Sequence, residues 1–173
     1  MKWLLYAAGV VVGMVVIVCV IGAFIPRKHR ATRIARFHQP PAVIWKAITD
    51  YEQFPQWRSN VSRVETMASS NGLPAHLEWD KRGHVIPMET VTLEPPRLCV
   101  GRIADAKLPF GGTWTMEISE VPGGSTLRIT EDGEIRNAMF RFISRFVIGY
   151  GATMETYLKD LGGKFGETVA PQP

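Results

Sequence analysis

The side chains of this chain that have chemistry to offer are few and scattered. Four histidines stand at positions 29, 38, 76 and 84, one inside a basic segment and three in β-like runs. They lack the His-x-Glu-x-x-His spacing or the paired cysteines that assemble a metal site, so no metal and no cofactor is expected. There is no Gly-x-Ser-x-Gly elbow. Gly111-Gly112 and Gly123-Gly124 join strand-like runs and do not open helices that would cradle phosphate. The polar residues that interrupt apolar strand patterns are Glu78, His84, Glu89, Arg102, Glu117, Arg128 and Glu131. Period-two alternation sets Glu117 on the other face from Trp114, Met116 and Ile118, and Arg128 opposite Leu127 and Ile129, so these two are expected as cross-strand partners outside. Glu89 shares its face with Val85, Pro87, Val91 and Leu93 and is expected to point inward, where a carboxylate is costly unless paired. General acid–base chemistry needs two titratable groups converging in one site, and Glu89 with His84 or Arg102 is the best such set. No catalytic residue is assigned.

Apolar candidates for a binding site lie elsewhere. Lys107-Leu108-Pro109-Phe110-Gly111 places an apolar pair in a Pro/Gly loop near the start of the last helical segment, where the mouth of a cavity would sit. Leu108, Phe110 and Trp114 are its strand-side candidates. Phe140, Arg141, Arg145 and Ile148 are the helix side, with Met139, Phe142, Ile143, Phe146 and Tyr150 on the helical stripe behind them. Trp45 and Trp57 read as packing.

These groups must be positioned by elements that the pattern also indicates. From Trp3 to Pro26 no side chain is charged, and the next ten residues carry Arg27, Lys28, Arg30, Arg33 and Arg36 with no acid. At about 1.5 Å per residue such a helix reaches roughly 36 Å, enough to cross a hydrocarbon core of about 30 Å. A cleaved signal is the competing reading, but its apolar core usually runs about 7–15 residues before an Ala-x-Ala-like exit. Residues 1–26 are read as a transmembrane helix and 27–31 as a basic juxtamembrane linker, with Arg27, Lys28, Arg30 and Arg33 contacting anionic headgroups of the bilayer. The basic excess beyond the span places the following domain in the cytoplasm, at the inner (plasma) membrane in a single pass, with an extracytoplasmic domain as the alternative. Cys19 lies in the span and Cys99 beyond it, which leaves no intradomain pair to oxidise. The formal charge of +4 comes from the flanks of the span. From Phe37 onward 14 Lys and Arg face 16 Asp and Glu, a balance of −2 that argues against a nucleic-acid partner. Oligomeric state is not specified.

Thr32 to His38 alternates as a strand. Pro40-Pro41 can open a helix, which Ala42 to Ile48 continues, and Asp50 with Gln53 fits the cap of a second short helix closed by Phe54-Pro55. Six β-rich runs follow, at Val61 to Met67, His76 to Lys81, Val85 to Glu94, Leu98 to Ile103, Thr113 to Val121 and Ser125 to Thr130, and their short connections predict an antiparallel meander. After Gly133 a helical stripe from Met139 through Tyr150, Met154, Tyr157 and Leu161 to Phe165 predicts one helix of more than seven turns. The expected class is α+β: a curved seven-stranded antiparallel sheet wrapped around a long C-terminal helix, with two short helices after the first strand and one transmembrane helix in front. Residues 166–173 read as a flexible tail.

Three segments carry a family resemblance: Trp45 to Trp57, with its aromatic-Pro-x-Trp ending; Phe110-Gly111-Gly112-Thr113-Trp114; and Gly124 to Glu134. In this order and spacing, over residues 32–165, the chain resembles the START-like or helix-grip superfamily, and within it the bacterial polyketide cyclase/dehydrase-like, SRPBCC-type domains. The resemblance implies a helix-grip fold that encloses an apolar or amphipathic small molecule, with catalysis in some members. Three functions are therefore carried forward. The first is a membrane-tethered binding domain for a hydrophobic small molecule or lipid held between sheet and helix. The second is an enzyme of the cyclase, dehydratase or hydrolase type on an apolar substrate. The third is a membrane-anchored interaction protein with a filled core.

Overall fold

Turn-bounded runs of alternating residues fold as the alternation requires. A computed structural model describes residues 2–69 and 71–173. Its strands are β1 (Lys28–Phe37), β2 (Val61–Met67), β3 (Ala75–Asp80), β4 (Val85–Glu94), β5 (Leu98–Ile103), β6 (Phe110–Val121) and β7 (Gly124–Ile135). All pair antiparallel, in the order β1-β7-β6-β5-β4-β3-β2. Because β1 and β2 occupy opposite edges, the chain between them must cross the whole sheet. It does so through α2 (Pro41–Thr49), a single 3-10 turn (Tyr51–Gln53) and α3 (Phe54–Trp57). Pro41 stands in the first turn of α2, where its missing N–H costs nothing. Glu117 and Arg128 face each other across β6 and β7 and both are exposed.

The core is the stripe of one helix laid on this sheet. Met154, Leu158 and Leu161 of α5 (Ala152–Lys164) are fully buried, together with Ile44 and Ile48 of α2 and Phe37, Leu127 and Ile129 of the β1–β7 pair. Trp45 and Trp57 pack against this cluster.

Three expectations are corrected. The basic segment is not a free linker, because β1 begins at Lys28 and pairs Lys28 with Glu134 and Arg30 with Asp132. Opposite charges directly across a ladder favour that extension. Arg30 lies 3.6 Å from the Asp132 carboxylate and Arg33 donates to Glu155 at 2.7 Å, so of the basic residues assigned to headgroups Arg33 is turned onto the protein. Residues 166–173 are not loose. Ile34 and Gln172 exchange two backbone hydrogen bonds of 2.9 Å, and Glu167 accepts from the His38 N–H and the Gln39 amide.

The third correction concerns the long helix. It is divided into α4 (Ala138–Ile143), a wide π turn (Ser144–Ile148), a break at Gly149–Gly151, and α5. Asn137 caps α4 by accepting from the Phe140 N–H. Gly149 makes the break, at φ +85 and ψ 143, a region closed to side chains with a Cβ. A Cβ placed there would meet nothing within 4 Å, so the cost of substitution is backbone strain alone. Gly149→Ala is expected to lower the unfolding free energy by about 1–3 kcal/mol in denaturant titrations. An alanine variant as stable as the parent would show that this geometry is not enforced.

The apolar helix α1 (Lys2–Phe24) has 23 residues, long enough to cross a bilayer. Its last turns are docked on α4. Gly22 is buried, and a Cβ built on it would overlap the Ala138 carbonyl oxygen. Arg141, buried at 6 % exposure, donates from Nε to the Gly22 oxygen at 2.7 Å and from Nη1 to the Arg136 oxygen at 2.9 Å.

Candidate functional site

A cavity of about 440 Å³ lies between the concave face of β3–β7 and the helices α2, α4 and α5. Its walls are mostly apolar, with Ile48, Ile86, Met88, Ile103, Met116 and Ile135 among them. Polar groups gather at two places.

The first group comes from three elements. His76 and Glu78 stand two residues apart on β3 and therefore on one face, and Arg58 follows the last residue of α3. Arg58 Nη1 donates to Glu78 Oε1 at 2.8 Å, and His76 Nε2 lies 3.1 Å from the same oxygen. Burial pushes the Glu78 carboxyl up, but the hydrogen bond from His76 and the charge of Arg58 outweigh it and hold the group below its ordinary range. Glu78 is therefore an anion inside the protein, and as an anion it only accepts. His76 Nε2 must then carry the proton of that bond, so Nδ1 accepts when the ring is neutral and donates when it is protonated. The Arg58 guanidinium lies 4.8 Å from the Phe54 ring centre and 5.1 Å from that of Tyr157. Tyr51 stacks on His76 at 4.2 Å, and its hydroxyl, 3.1 Å from Thr90 Oγ1, is pushed up to about 12 by burial and then by Cys99. Burial also pushes the Tyr157 hydroxyl up, so it keeps its proton. Arg58 Nε, His76 Nδ1 and Tyr157 Oη are buried and have no partner among the described residues. Such groups are costly to bury unless something supplies the missing hydrogen bonds.

The second group is Glu131, which accepts from Trp114 Nε1 at 2.8 Å and lies 3.0 Å from His29 Nε2. The His29 ring stacks on Tyr150 at 4.1 Å. Among the described residues no three His, Cys, Asp or Glu side chains gather as metal ligands.

Of the residues singled out from the sequence, Glu78, Glu89, Glu131, Phe110, Trp114, Tyr150, Phe140 and Ile148 line the cavity. Glu89 is paired at 2.8 Å with Arg102, whose own side chain is 53 % exposed and lies outside. Thr90 reaches the cavity beside Ile86 and Met88, and Val91, at the bulge between Thr90 and Thr92, is exposed. His84 is not in the site. It sits in the exposed β3–β4 turn, 2.8 Å from Asp80, with Asp80 held down to about 2 chiefly by that hydrogen bond. Leu108 is half-buried and offers only its carbonyl, to Arg136. Met139, Phe142, Ile143 and Phe146 do not line the cavity. The π turn and the Gly149 break interrupt the 3.6-residue period that grouped them with Tyr150, so Phe140, Ser144 and Ile148 border the cavity instead, with Phe140 and Ile148 also exposed at its edge. Arg141 is taken by the Gly22 carbonyl, and Arg145 is exposed. Sequence reasoning missed Arg58, His76 and His29. The His76-x-Glu78 spacing within a strand was a usable signal for one face, whereas nothing local marked Arg58 or His29.

A bent antiparallel sheet gripping a helix over an apolar hollow with a few polar groups defines a helix-grip, START-like domain. The family model described as polyketide cyclase / dehydrase and lipid transport matches residues 28–161, and the chain belongs to that family. Solved structures share the fold. A START superfamily protein from Mycobacterium smegmatis is 16 % identical with a TM-score of 0.64, over 79 % of this chain and 96 % of that one. Protein MLL2253 from Mesorhizobium loti is 18 % identical with a TM-score of 0.59, over 81 % and 97 %. The Zhui aromatase/cyclase from a Streptomyces species is 11 % identical with a TM-score of 0.62, over 79 % and 93 %. No curated protein matches the chain.

Proposed function

We propose that this protein is a membrane-tethered binding domain for an amphipathic small molecule or lipid, whose apolar body fills the cavity and whose oxygen-bearing group meets Arg58, Tyr157 and His76. The observation that carries this reading is the set of three buried polar atoms without partners on the wall of an otherwise apolar hollow. Arg58 Nε and the Tyr157 hydroxyl donate, and His76 Nδ1 accepts in the neutral ring or donates in the protonated one, which suits a hydroxyl, a carbonyl or a carboxyl group. A volume of about 440 Å³ lies within the range of ligand pockets, roughly 300–1,000 Å³. The tether is α1, and because β1 starts four residues after it ends, the domain stays against the bilayer. The basic residues after the span support a cytoplasmic position at the inner membrane.

The test is to purify the full chain from its native membranes, extract it for bound apolar compounds, and titrate it with fatty acids, fatty alcohols and quinones. Saturable binding that weakens in Tyr157→Phe is expected. A chain that retains no apolar compound and binds none of the panel would end this reading. One observation favours a second: His76, Glu78 and Arg58 converge on the same hollow, so an acid–base step on an apolar substrate is available at His76 Nδ1. Turnover of a bound ligand that disappears in His76→Asn while binding persists would favour the enzyme.

A further inference from the structure

The helix α4 and the π turn that follow β7 expose an apolar surface that the core does not use. Met139, Phe140, Phe146, Val147 and Ile148 are 38, 43, 63, 72 and 60 % exposed, and Arg145 is the one charge within the π turn. In water this would be an unusual concentration of apolar side chains for ten consecutive positions. Its neighbour is α1. Gly22 meets Ala138 backbone to backbone, and Val18 and Cys19, on the same side of α1 as Gly22, are partly covered, as is Ile25 just beyond it, while the rest of that helix is open. Arg141 is the residue that would be costly at this depth, and its Nε and Nη1 are occupied by the carbonyls of Gly22, Ile135 and Arg136. The same segment borders the cavity through Phe140, Ser144, Ile148 and Gly149.

We infer that α4 and the π turn are seated in the bilayer beside the last turns of α1, and that the cavity exchanges its ligand sideways with the membrane between Phe140 and Ile148. This rests on the membrane-tethered binding reading. A lipid surface is the partner because the apolar patch continues the surface of an apolar helix with 23 residues, and because Arg27 and Lys28 stand exposed just beyond that helix, where anionic headgroups would meet them. The break at Gly149 separates the segment that carries both Phe140 and Ile148 from α5.

Two measurements on the full chain in phosphatidylcholine/phosphatidylglycerol vesicles test it. A fluorophore sensitive to polarity is attached at Val147→Cys in a Cys19→Ala background, with Glu117→Cys on the exposed sheet face as the control. Lipids carrying a nitroxide on the acyl chain should quench the Val147 label and spare the control, and aqueous iodide should do the reverse. Iodide quenching at Val147 equal to the control would overturn the inference. Second, Phe146→Asp with Val147→Asp, neither of which lines the cavity, should slow transfer of an anthroyloxy-labelled fatty acid from vesicles about tenfold. Its affinity for the same probe delivered in detergent should not change. Unaltered transfer would reject the lateral route. Failure of the parent chain to bind the probe by either delivery would instead count against the binding function, with the depth measurement still deciding where the segment sits.

Discussion

Replacing Arg58 with methionine is expected to lower the unfolding free energy by roughly 3–5 kcal/mol at about pH 7, the range for stranding one partner of a buried ion pair. The stem of methionine keeps contact with Phe54 and Tyr157, so the loss reports the charge and not a void. Both members are shielded, the Arg58 side chain being 10 % exposed and that of Glu78 11 %, so solvent screens the pair little. The pH dependence has a definite sign. The folded value of Glu78 lies below its ordinary 4.5, so its contribution is fully present above that value and is withdrawn as pH falls through the folded value. Without Arg58 the anion loses its cation and the folded value rises. The gap between parent and variant should therefore be widest near neutral pH, narrow as pH falls through the variant's raised value, and close only below the parent's lowered one. Changing Glu78 to methionine as well should recover much of the loss, because the uncompensated charge is then gone. Urea unfolding followed by tryptophan fluorescence in detergent measures all three. A cost below about 1 kcal/mol for Arg58→Met would mean that the pair is hydrated and that the buried anion described here does not exist.

Gly101→Leu should separate binding from folding. Gly101 lies in β5 on the cavity wall, and a Cβ added there would meet only the terminal methyl of Met88, at 3.8 Å. The added side chain takes space that a ligand would use. A methylene too many in an apolar pocket costs roughly 10–200-fold in discrimination, and leucine adds more than one, so affinity for the best ligand of the panel should fall at least by that range. Stability should move the other way, rising by up to about 1 kcal/mol, since glycine in a strand interior weakens it. Calorimetric titration with a fatty acid, next to thermal unfolding, reads both. Equal affinities in parent and variant would place the ligand somewhere other than this hollow.

Much of the architecture was legible because it is written in short patterns. Strands β2, β4 and β5 occupy the runs read from alternation, Pro40-Pro41 opens a helix, and Glu117 stands opposite Arg128 outside the sheet. Each of these depends on which face of one segment is apolar, or on the sterics of a proline, and neighbouring residues suffice for that. The face of Glu89 was not legible in this way: Ile86, Met88 and Thr90 of β4 line the cavity, whereas Val85 and Val91, its partners in the alternation, are exposed and Glu89 stands across from the outward Arg102.

The remaining features depend on residues far apart in the chain. Lys28 and Arg30 look like a linker until acids about a hundred positions later come to face them, and then they are the first turn-free stretch of β1. The helical stripe from Met139 continues on paper, but the left-handed Gly149 and the π turn stop it and rotate Met139, Phe142 and Phe146 out of the site. Arg58 and Glu78 are 20 residues apart and His29 and Glu131 are 102 apart, so no local period could bring either pair together. The amino-acid sequence by itself determined the elements, their order and the apolar span, because those follow from periodicity within single segments. Tertiary structure alone decided which charges are neutralised, where the helix opens and what lines the hollow, because each of these is a contact between segments that the folded chain must first close.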